Sequence, residues 1–321
     1  MKKNIVVIAG GYSKEFFISL KSGANVYDQI KSEQYNKYLM IIEKDKWFVK
    51  KDECEYLVDK NDFSIEYKGE KIKFDFAYIT VHGIPGENGM LQGYLDMAGI
   101  RYSTSGVLVE ALTFDKYSCN NYLKTFGINV SPSTLLRKNR SYEKENIIKE
   151  IGLPCFIKPN SDGSSFGVSK VSSIDDFDEA VEKIHSGGDH AIVESFIAGQ
   201  EFTCGICKIG NKTLLMPIAE IISQNDFFDY EAKYDSDLTE EIIPARFSEE
   251  ITDEIHEMVK NIYEILDCRG IIRVDGFIRN NEIIMLEVNT TPGMTNASFI
   301  PKMLAYMNIS LGDLITQMIE N

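Results

Sequence analysis

The segment 273–295, RVDGFIRNNEIIMLEVNTTPGMT, decides how this chain is read. It divides into two alternating runs around Asn280-Asn281, the pattern of paired antiparallel strands. Every second side chain of a strand shares a face. Arg273 and Asp275 therefore point one way, and so do Glu287 and Asn289. All four share a face only if Asp275 lies opposite Glu287 and Arg273 opposite Asn289. Continued outward, that register sets Val274 against Val288, Gly276 against Leu286 and Ile278 against Ile284, an apolar face for a core. It predicts an odd-numbered loop centred on Asn281 and not a two-residue hairpin. A slip of one residue would turn charges into the core.

Three oxygen side chains beside a guanidinium suggest hard-ion chemistry. Two carboxylates and a carboxamide suit Mg²⁺ shared with substrate phosphates. Zinc is disfavoured, because no His or Cys stands among them. An isolated Asp/Glu pair also fits a solvated strand face. Asn289 and the following Thr290-Thr291-Pro292-Gly293-Met294 favour a site. A Pro-Gly loop brings bare backbone N–H groups near the ion, where they can hold an oxyanion.

Ahead of this segment, Ser248 caps a helix bearing Ile251, Ile255, Met258, Ile262 and Leu266, and beyond it Ser310 caps a final helix. Phe227-Phe228-Asp229-Tyr230-Glu231-Ala232-Lys233-Tyr234 mixes aromatic and charged residues without a period. It reads as a lid or as an ordinary surface loop. Cys204-Gly-Ile-Cys207 has C-x-x-C spacing but lies in a strand with no second pair, so it reads as buried, reduced thiols. The strand Ala191–Ile197 can offer its backbone to a nucleobase, with Glu201 near a ribose. Leu153–Lys158 is a strand ending in Lys before the Gly/Ser loop 159–170, which contains Ser164. That order handles phosphate, although no Walker A pattern is present and a surface hairpin is the alternative.

The N-terminal third alternates strand and helix. Ile5–Ala9 runs into Gly10-Gly11, and Ser13 is placed to cap a helix carrying Phe17, Leu20, Ala24 and Tyr27, with Glu15 in its first turn. The unit begins a doubly wound sheet, whose ligands bind at the carboxyl ends of the strands. A dinucleotide site is a weaker reading, because G-x-G-x-x-G is incomplete. After a charged stretch near 43–73, Phe74–Val81 is a second strand. It ends in His82-Gly-Ile-Pro-Gly-Glu87-Asn88-Gly89, where Asn88 can cap the next helix.

At 321 residues the chain holds two or three domains. Its 34 basic and 49 acidic residues leave a net charge of −15, which argues against nucleic acid or an acidic membrane surface. The apolar run after Met1-Lys-Lys-Asn is too short for a signal peptide, and a cytoplasmic protein is expected.

Together, Gly10-Gly11 with Y-S-K-E15-F-F-I-S19, the His82 loop, Lys116, KPNSDGSSFG, E-A-K233-Y234, R273-V-D275 and L-E287-V-N289-T-T-P-G-M-T make the chain resemble the D-alanine–D-alanine ligases of the ATP-grasp superfamily, those of Bacteroidota most of all. The resemblance runs end to end with the motifs in family order. It implies an α/β (α+β) architecture, an ATP-grasp fold behind a Rossmann-like, doubly wound N-terminal domain. The implied divisions are 1–113 for substrate, 114–200 for the central subdomain, and 201–321 for the metal and catalytic residues. The implied reaction joins two D-alanines for peptidoglycan, using ATP and two Mg²⁺ or Mn²⁺ ions, in a homodimer.

By motif position the resemblance gives Lys116, Lys158 and Lys233 to ATP phosphates, and Glu194, Ile197, Glu201 and Phe227 to the rest of the nucleotide. It gives Asp275, Glu287 and Asn289 to metal. Glu15, Ser164 and Tyr234 would position the first substrate, with His82 and Glu87 nearby. Arg273 and the Gly293 amide would stabilise the tetrahedral intermediate, and Ser298 and Phe299 would hold the second carboxylate. Phe17, Ser195 and Phe299 depart from the commoner family residues. Ligation to D-lactate or D-serine, or a silent nucleotide-binding module, are the alternatives. A nicotinamide oxidoreductase would leave the Asp275/Glu287/Asn289 set without a purpose.

Overall fold

The computed structural model describes residues 2–161, 167–223 and 239–321. Three sheets follow one another along the chain. The first contains β1 (Lys3–Gly10), β2 (Tyr35–Ile42), β3 (Trp47–Lys51), β4 (Cys54–Asp59), β5 (Ser64–Tyr67), β6 (Glu70–Lys73), β7 (Phe76–Ile79) and β8 (Arg101–Tyr102), in the order 6-5-4-3-2-1-7-8. The strands β2, β1, β7 and β8 run parallel to one another, and β3–β6 continue from β2 as an antiparallel extension. Helix α1 (Phe16–Gln29) crosses from β1 to β2, and α2 (Met90–Ala98) from β7 to β8. This is the expected doubly wound unit. Its order reverses between β1 and β7, so the crevice opens over the loops at 10–15 and 80–89.

The stretch 43–73 is more ordered than its charge suggests. It contains the whole antiparallel extension, whose turns use Asp52, Glu53, Lys68 and Gly69 at positive φ. Partly exposed strands such as these carry charged residues on their wet face, which masked their period.

Helices α3 (Val107–Phe114) and α4 (Lys116–Lys124) come next. The second sheet is β11-β10-β12-β9, from β9 (Ser133–Leu136), β10 (Cys155–Pro159), β11 (Ser169–Val171) and β12 (Ala191–Ser195). Helices α5 (Lys144–Ile151) and α6 (Phe177–Gly187) cover it, with Phe177, Ile157 and Val193 in its core. The third sheet, β16-β15-β13-β17-β18 with β14 alongside β13, contains β13 (Gln200–Ile209), β14 (Lys212–Leu215), β15 (Ala219–Ser223), β16 (Thr239–Ile242), β17 (Gly270–Arg279) and β18 (Glu282–Asn289). One face packs on α7 (Glu249–Ile265) and also takes Val109 of α3 and Cys119 and Leu123 of α4. The division expected at 113/114 thus falls at the last residue of α3, in a helix pair that shares this core. The helices α8 (Phe299–Tyr306) and α9 (Leu311–Glu320) join the third sheet to the first: Ile5, Val7 and Val26 share a core with Ile300, Met303 and Ile315. No helix among the described residues is long and apolar enough to cross a membrane.

Candidate active site

The pairing of β17 with β18 brings the four predicted residues together. Arg273 faces Asn289, Val274 faces Val288 and Asp275 faces Glu287. Beyond Asp275 the register shifts, so Gly276 faces Met285 and Arg279 faces Glu282. The connection is therefore a two-residue turn, Asn280-Asn281, with φ of 51° and 62°. This corrects the odd-numbered loop. Asn tolerates positive φ, and two in succession build the turn whose twist suits a hairpin. The turn demands one register and the polar face another, one residue apart, and a bulge at Leu286 reconciles them. Asn120 of α4 donates to the carbonyl of Leu286 at 3.3 Å. Met285, not Leu286, fills the core.

On the polar face Arg273 grips Asp275 with two bonds, Nε to Oδ1 at 2.8 Å and Nη2 to Oδ2 at 2.6 Å. Thr203, opposite Asp275 on β13, donates to Oδ1 at 2.6 Å, and the Asn289 carboxamide donates to Oδ2 at 3.0 Å. Asp275 is thus held by four donors, and buried. Burial would lower the Arg273 pKa, but the Asp275 carboxylate outweighs it and raises it above the usual value. The Arg273 guanidinium lies 5.8 Å from the Phe299 ring. Thr203 was missed from sequence because only the β13–β17 register pairs it with Asp275.

The second sheet supplies the lysine. Lys158 Nζ meets Glu194 Oε2 at 2.6 Å, with Glu194 buried and Lys158 partly so. Desolvation pulls the Lys158 pKa down, and Glu194, with Glu287 and Glu201 across the gap, carries it above the ordinary value. Glu194 Oε1 is buried without a hydrogen bond. Phe156 lies opposite Glu194 in the ladder and its ring is 5.8 Å from that of Phe196, which Lys170 overlies. These two tilted aromatic rings form an apolar wall beside the ion pair. Ile197 is buried just past β12, and Glu201 lies near the start of β13 opposite Phe277. The Ser195 hydroxyl donates to the Ile151 carbonyl at 2.7 Å, so it braces the scaffold.

Lys116 approaches from the start of α4, its Nζ 4.0 Å from Glu287 Oε2. Glu87, Thr113, Lys116, Glu287, Asn289 and Thr290 line a cavity of about 30 Å³. That is room for one or two ions or waters. Its walls are hard oxygen donors, which fit Mg²⁺ or Mn²⁺. No cluster of three or more His, Cys, Asp or Glu exists among the described residues, so the Asn289 carboxamide is needed to complete the donor set. Asp275 would have to yield one of its four contacts to join it.

The first sheet closes the third side. Gly10 and Gly11 have φ of 95° and 106°, and a Cβ there would meet Ile42 O at 2.5 Å and Val81 Cγ1 at 2.6 Å. Their role is close packing between strands, which removes the basis of the dinucleotide reading. Ser13 does not fill the N-cap position of α1, although its hydroxyl accepts from the Glu15 N–H at 3.2 Å just ahead of the helix. Its hydroxyl donates to the His82 carbonyl at 2.7 Å, and Glu15 occupies the N-cap position instead of the first turn. Gly89, at φ 82°, is the N-cap of α2, and Asn88 accepts from the Met90 N–H at 3.2 Å. His82 is buried between Ser22 Oγ, 3.3 Å from Nε2, and the Thr291 carbonyl, 3.0 Å from Nδ1. It therefore joins α1 to the Pro-Gly loop. Glu87 accepts from the Gly83 N–H at 2.5 Å, and desolvation, then the neighbouring Glu15, push its pKa up to about 8. Phe17 is exposed.

The loop around Gly293 is pinned from both sides. Met294 N–H donates to Ser22 at 3.2 Å, Asn25 donates to Met294 O at 2.6 Å, and Thr295 N–H donates to Ser298 at 3.1 Å. A Cβ on Gly293 would stand 2.8 Å from Ser298 Oγ. Four predicted residues, Ser164, Phe227, Lys233 and Tyr234, lie outside the described residues.

A sheet bearing a partly buried lysine, a second sheet bearing an acid–amide–arginine face, and a doubly wound unit over both define an ATP-grasp ligase. The family described as D-ala D-ala ligase N-terminus matches residues 4–105, and D-ala D-ala ligase C-terminus matches 122–320. A D-alanine–D-alanine ligase of Azobacteroides pseudotrichonymphae is 48% identical over 322 residues, covering 99% of each chain. The crystal structure of D-alanyl-alanine synthetase A from Vibrio cholerae superposes with a TM-score of 0.90 at 26% identity, covering 100% of this chain and 98% of that one. The D-alanine–D-alanine ligase of Bacillus anthracis complexed with ATP superposes at 0.81 with 29% identity, covering 100% and 96%. The chain belongs to the D-alanine–D-alanine ligase family.

Proposed function

We propose that this enzyme joins two D-alanines into D-alanyl-D-alanine for peptidoglycan, with ATP converted to ADP and phosphate, and that the residues above perform it. The first D-alanine carboxylate attacks the γ-phosphorus, giving an acyl phosphate and ADP. The second D-alanine amine attacks the acyl carbon, and inorganic phosphate leaves. The observation that carries this reading is the polar face of β17 and β18 directed at the Lys116 and Lys158 side of the cleft.

Phosphoryl transfer needs alignment and charge neutralisation more than covalent help. Lys116 and Lys158 hold phosphate oxygens, and Glu194, Ile197 and Glu201 hold the adenosine end. Asp275, Glu287 and Asn289 hold two divalent ions, which neutralise phosphate charge when bound. Glu15, His82 and Glu87 position the first substrate over the β1/β7 crevice. Arg273 and the Gly293 amide face the developing oxyanion, and Ser298 and Phe299 receive the second carboxylate. Ser164, Phe227, Lys233 and Tyr234 complete the set by motif position. The divisions 1–113, 114–200 and 201–321 are kept as functional units.

The consumption of ATP fits a cytoplasmic enzyme. A homodimer is supported by Met90 and Met97, exposed seven residues apart on α2, beside exposed Val107 and Leu108 of α3. Sedimentation velocity giving a monomer at micromolar concentration would remove that part. The decisive experiment supplies the chain with ATP, Mg²⁺ and a panel of D-amino acids while phosphate is followed. Release that requires both D-alanine and Mg²⁺ is expected; none with any amino acid would refute the reading.

A further inference from the structure

We propose that Glu110 is a positioning residue that holds Thr290, and through it the Asn289 end of the metal strand. The inference rests on the metal reading above. Glu110 sits in α3 among Val107, Leu108 and Val109, and it is completely buried. The Thr290 hydroxyl donates to Glu110 Oε2 at 2.6 Å, and Thr113 Oγ1, one turn further along α3, lies 3.4 Å from the same hydroxyl. Thr113 is itself tied to α3, donating to the Val109 carbonyl at 2.9 Å.

Thr290 is where this grip matters. The β17–β18 ladder ends at the Arg273–Asn289 pair, so no strand pairing fixes the following residue. Thr290 lines the same cavity as Glu287 and Asn289. One residue later, the Thr291 carbonyl meets His82 at 3.0 Å. The chain just past Asn289 is thus held by two contacts, one from α3 at Thr290 and one from the first sheet at Thr291. Residues that support metal ligands from outside typically change affinity 10- to 100-fold when removed.

The charge of Glu110 is not what does this. Burial raises its pKa well above the carboxylate range, the neighbouring acid Glu87 adds to the rise, and hydroxyls and a backbone N–H act against it. Its Oε1 makes no hydrogen bond. A neutral carboxyl and a carboxamide have nearly the same shape, and either accepts from a hydroxyl.

The test measures binding of the non-hydrolysable analogue AMP-PNP by calorimetry across a Mg²⁺ titration, together with steady-state rates. Glu110→Ala is expected to raise the Mg²⁺ concentration for half-saturation at least tenfold. Metal-free AMP-PNP binding and the KM for D-alanine at saturating Mg²⁺ should move less than threefold. Glu110→Gln should restore the Mg²⁺ dependence to within threefold of the parent. Thr290→Val, which keeps the shape and removes the hydroxyl, should reproduce Glu110→Ala, and the double variant should be no worse than either; it also carries the test if Glu110→Ala does not fold. An unchanged Mg²⁺ requirement in both single variants, additive effects, or a Gln variant as impaired as the Ala variant would overturn the proposal. A parent enzyme with no Mg²⁺ dependence would overturn the metal reading as well, and is recognised by that control alone.

Discussion

Arg273→Ala tests the site most directly, because the same side chain is held to two effects. In the resting protein it supplies two of the four donors to a buried carboxylate. Removing one partner of a buried pair costs about 3–5 kcal/mol, since the remaining charge keeps its desolvation penalty. Thr203 and Asn289 still donate to Asp275, which puts the expected loss near the lower end. In the reaction, loss of one preorganised donor facing an oxyanion costs roughly 10²–10³ in kcat, or about 2.7–4 kcal/mol. Arg273→Lys keeps the charge but cannot grip two oxygens at once, so it should fall between the two. Thermal melts with and without Mg²⁺ and a coupled ADP-release assay read both effects. Mg²⁺ should recover more stability in the Ala variant than in the parent, because a vacated Asp275 oxygen is offered to the ion. A turnover within threefold of the parent would refute the catalytic role, and an unchanged melting temperature would refute the ion pair as a stabilising contact.

Other outcomes follow from the same geometry. Lys158→Met leaves Glu194 buried without its cation, so the KM for ATP should rise at least tenfold and the melting temperature should fall; an unchanged KM would remove Lys158 from the nucleotide site. The Glu87 carboxyl, pushed up to about 8, binds its proton more tightly folded than unfolded. The parent should therefore lose stability relative to Glu87→Gln as pH rises from the ordinary carboxylate range through about 8, with no further change above it; parallel melting curves across that window would contradict the burial of Glu87. Thr203→Val should destabilise by about 1–3 kcal/mol, read as a shift in denaturant midpoint, because it removes a buried donor to Asp275. Of the six cysteines only Cys54 is exposed, so a thiol reagent should label one site in the native protein and six after denaturation.

The alternation of Arg273, Asp275, Glu287 and Asn289 settled much of this enzyme before any coordinates. A strand has a period of two, so four polar residues at matching parity must share a face or bury charge. Beyond Asp275 alternation alone pairs the wrong residues, because the Asn280-Asn281 turn has its own register and a bulge absorbs the conflict. Motif order along the chain was enough for the family, and the helices capped by Ser248 and Ser310 are where their spacing put them. The contacts that hold the site in place had no local trace. Thr203 reaches Asp275 across 72 residues, His82 reaches Thr291 across 209 and Thr290 reaches Glu110 across 180. Periodicity reports which side of an element is wet or dry, and it carries nothing about which other element will lie against that side. That choice is made when three sheets stack, and it is there that an acid inside an apolar helix meets Thr290 at the end of the strand bearing Glu287 and Asn289.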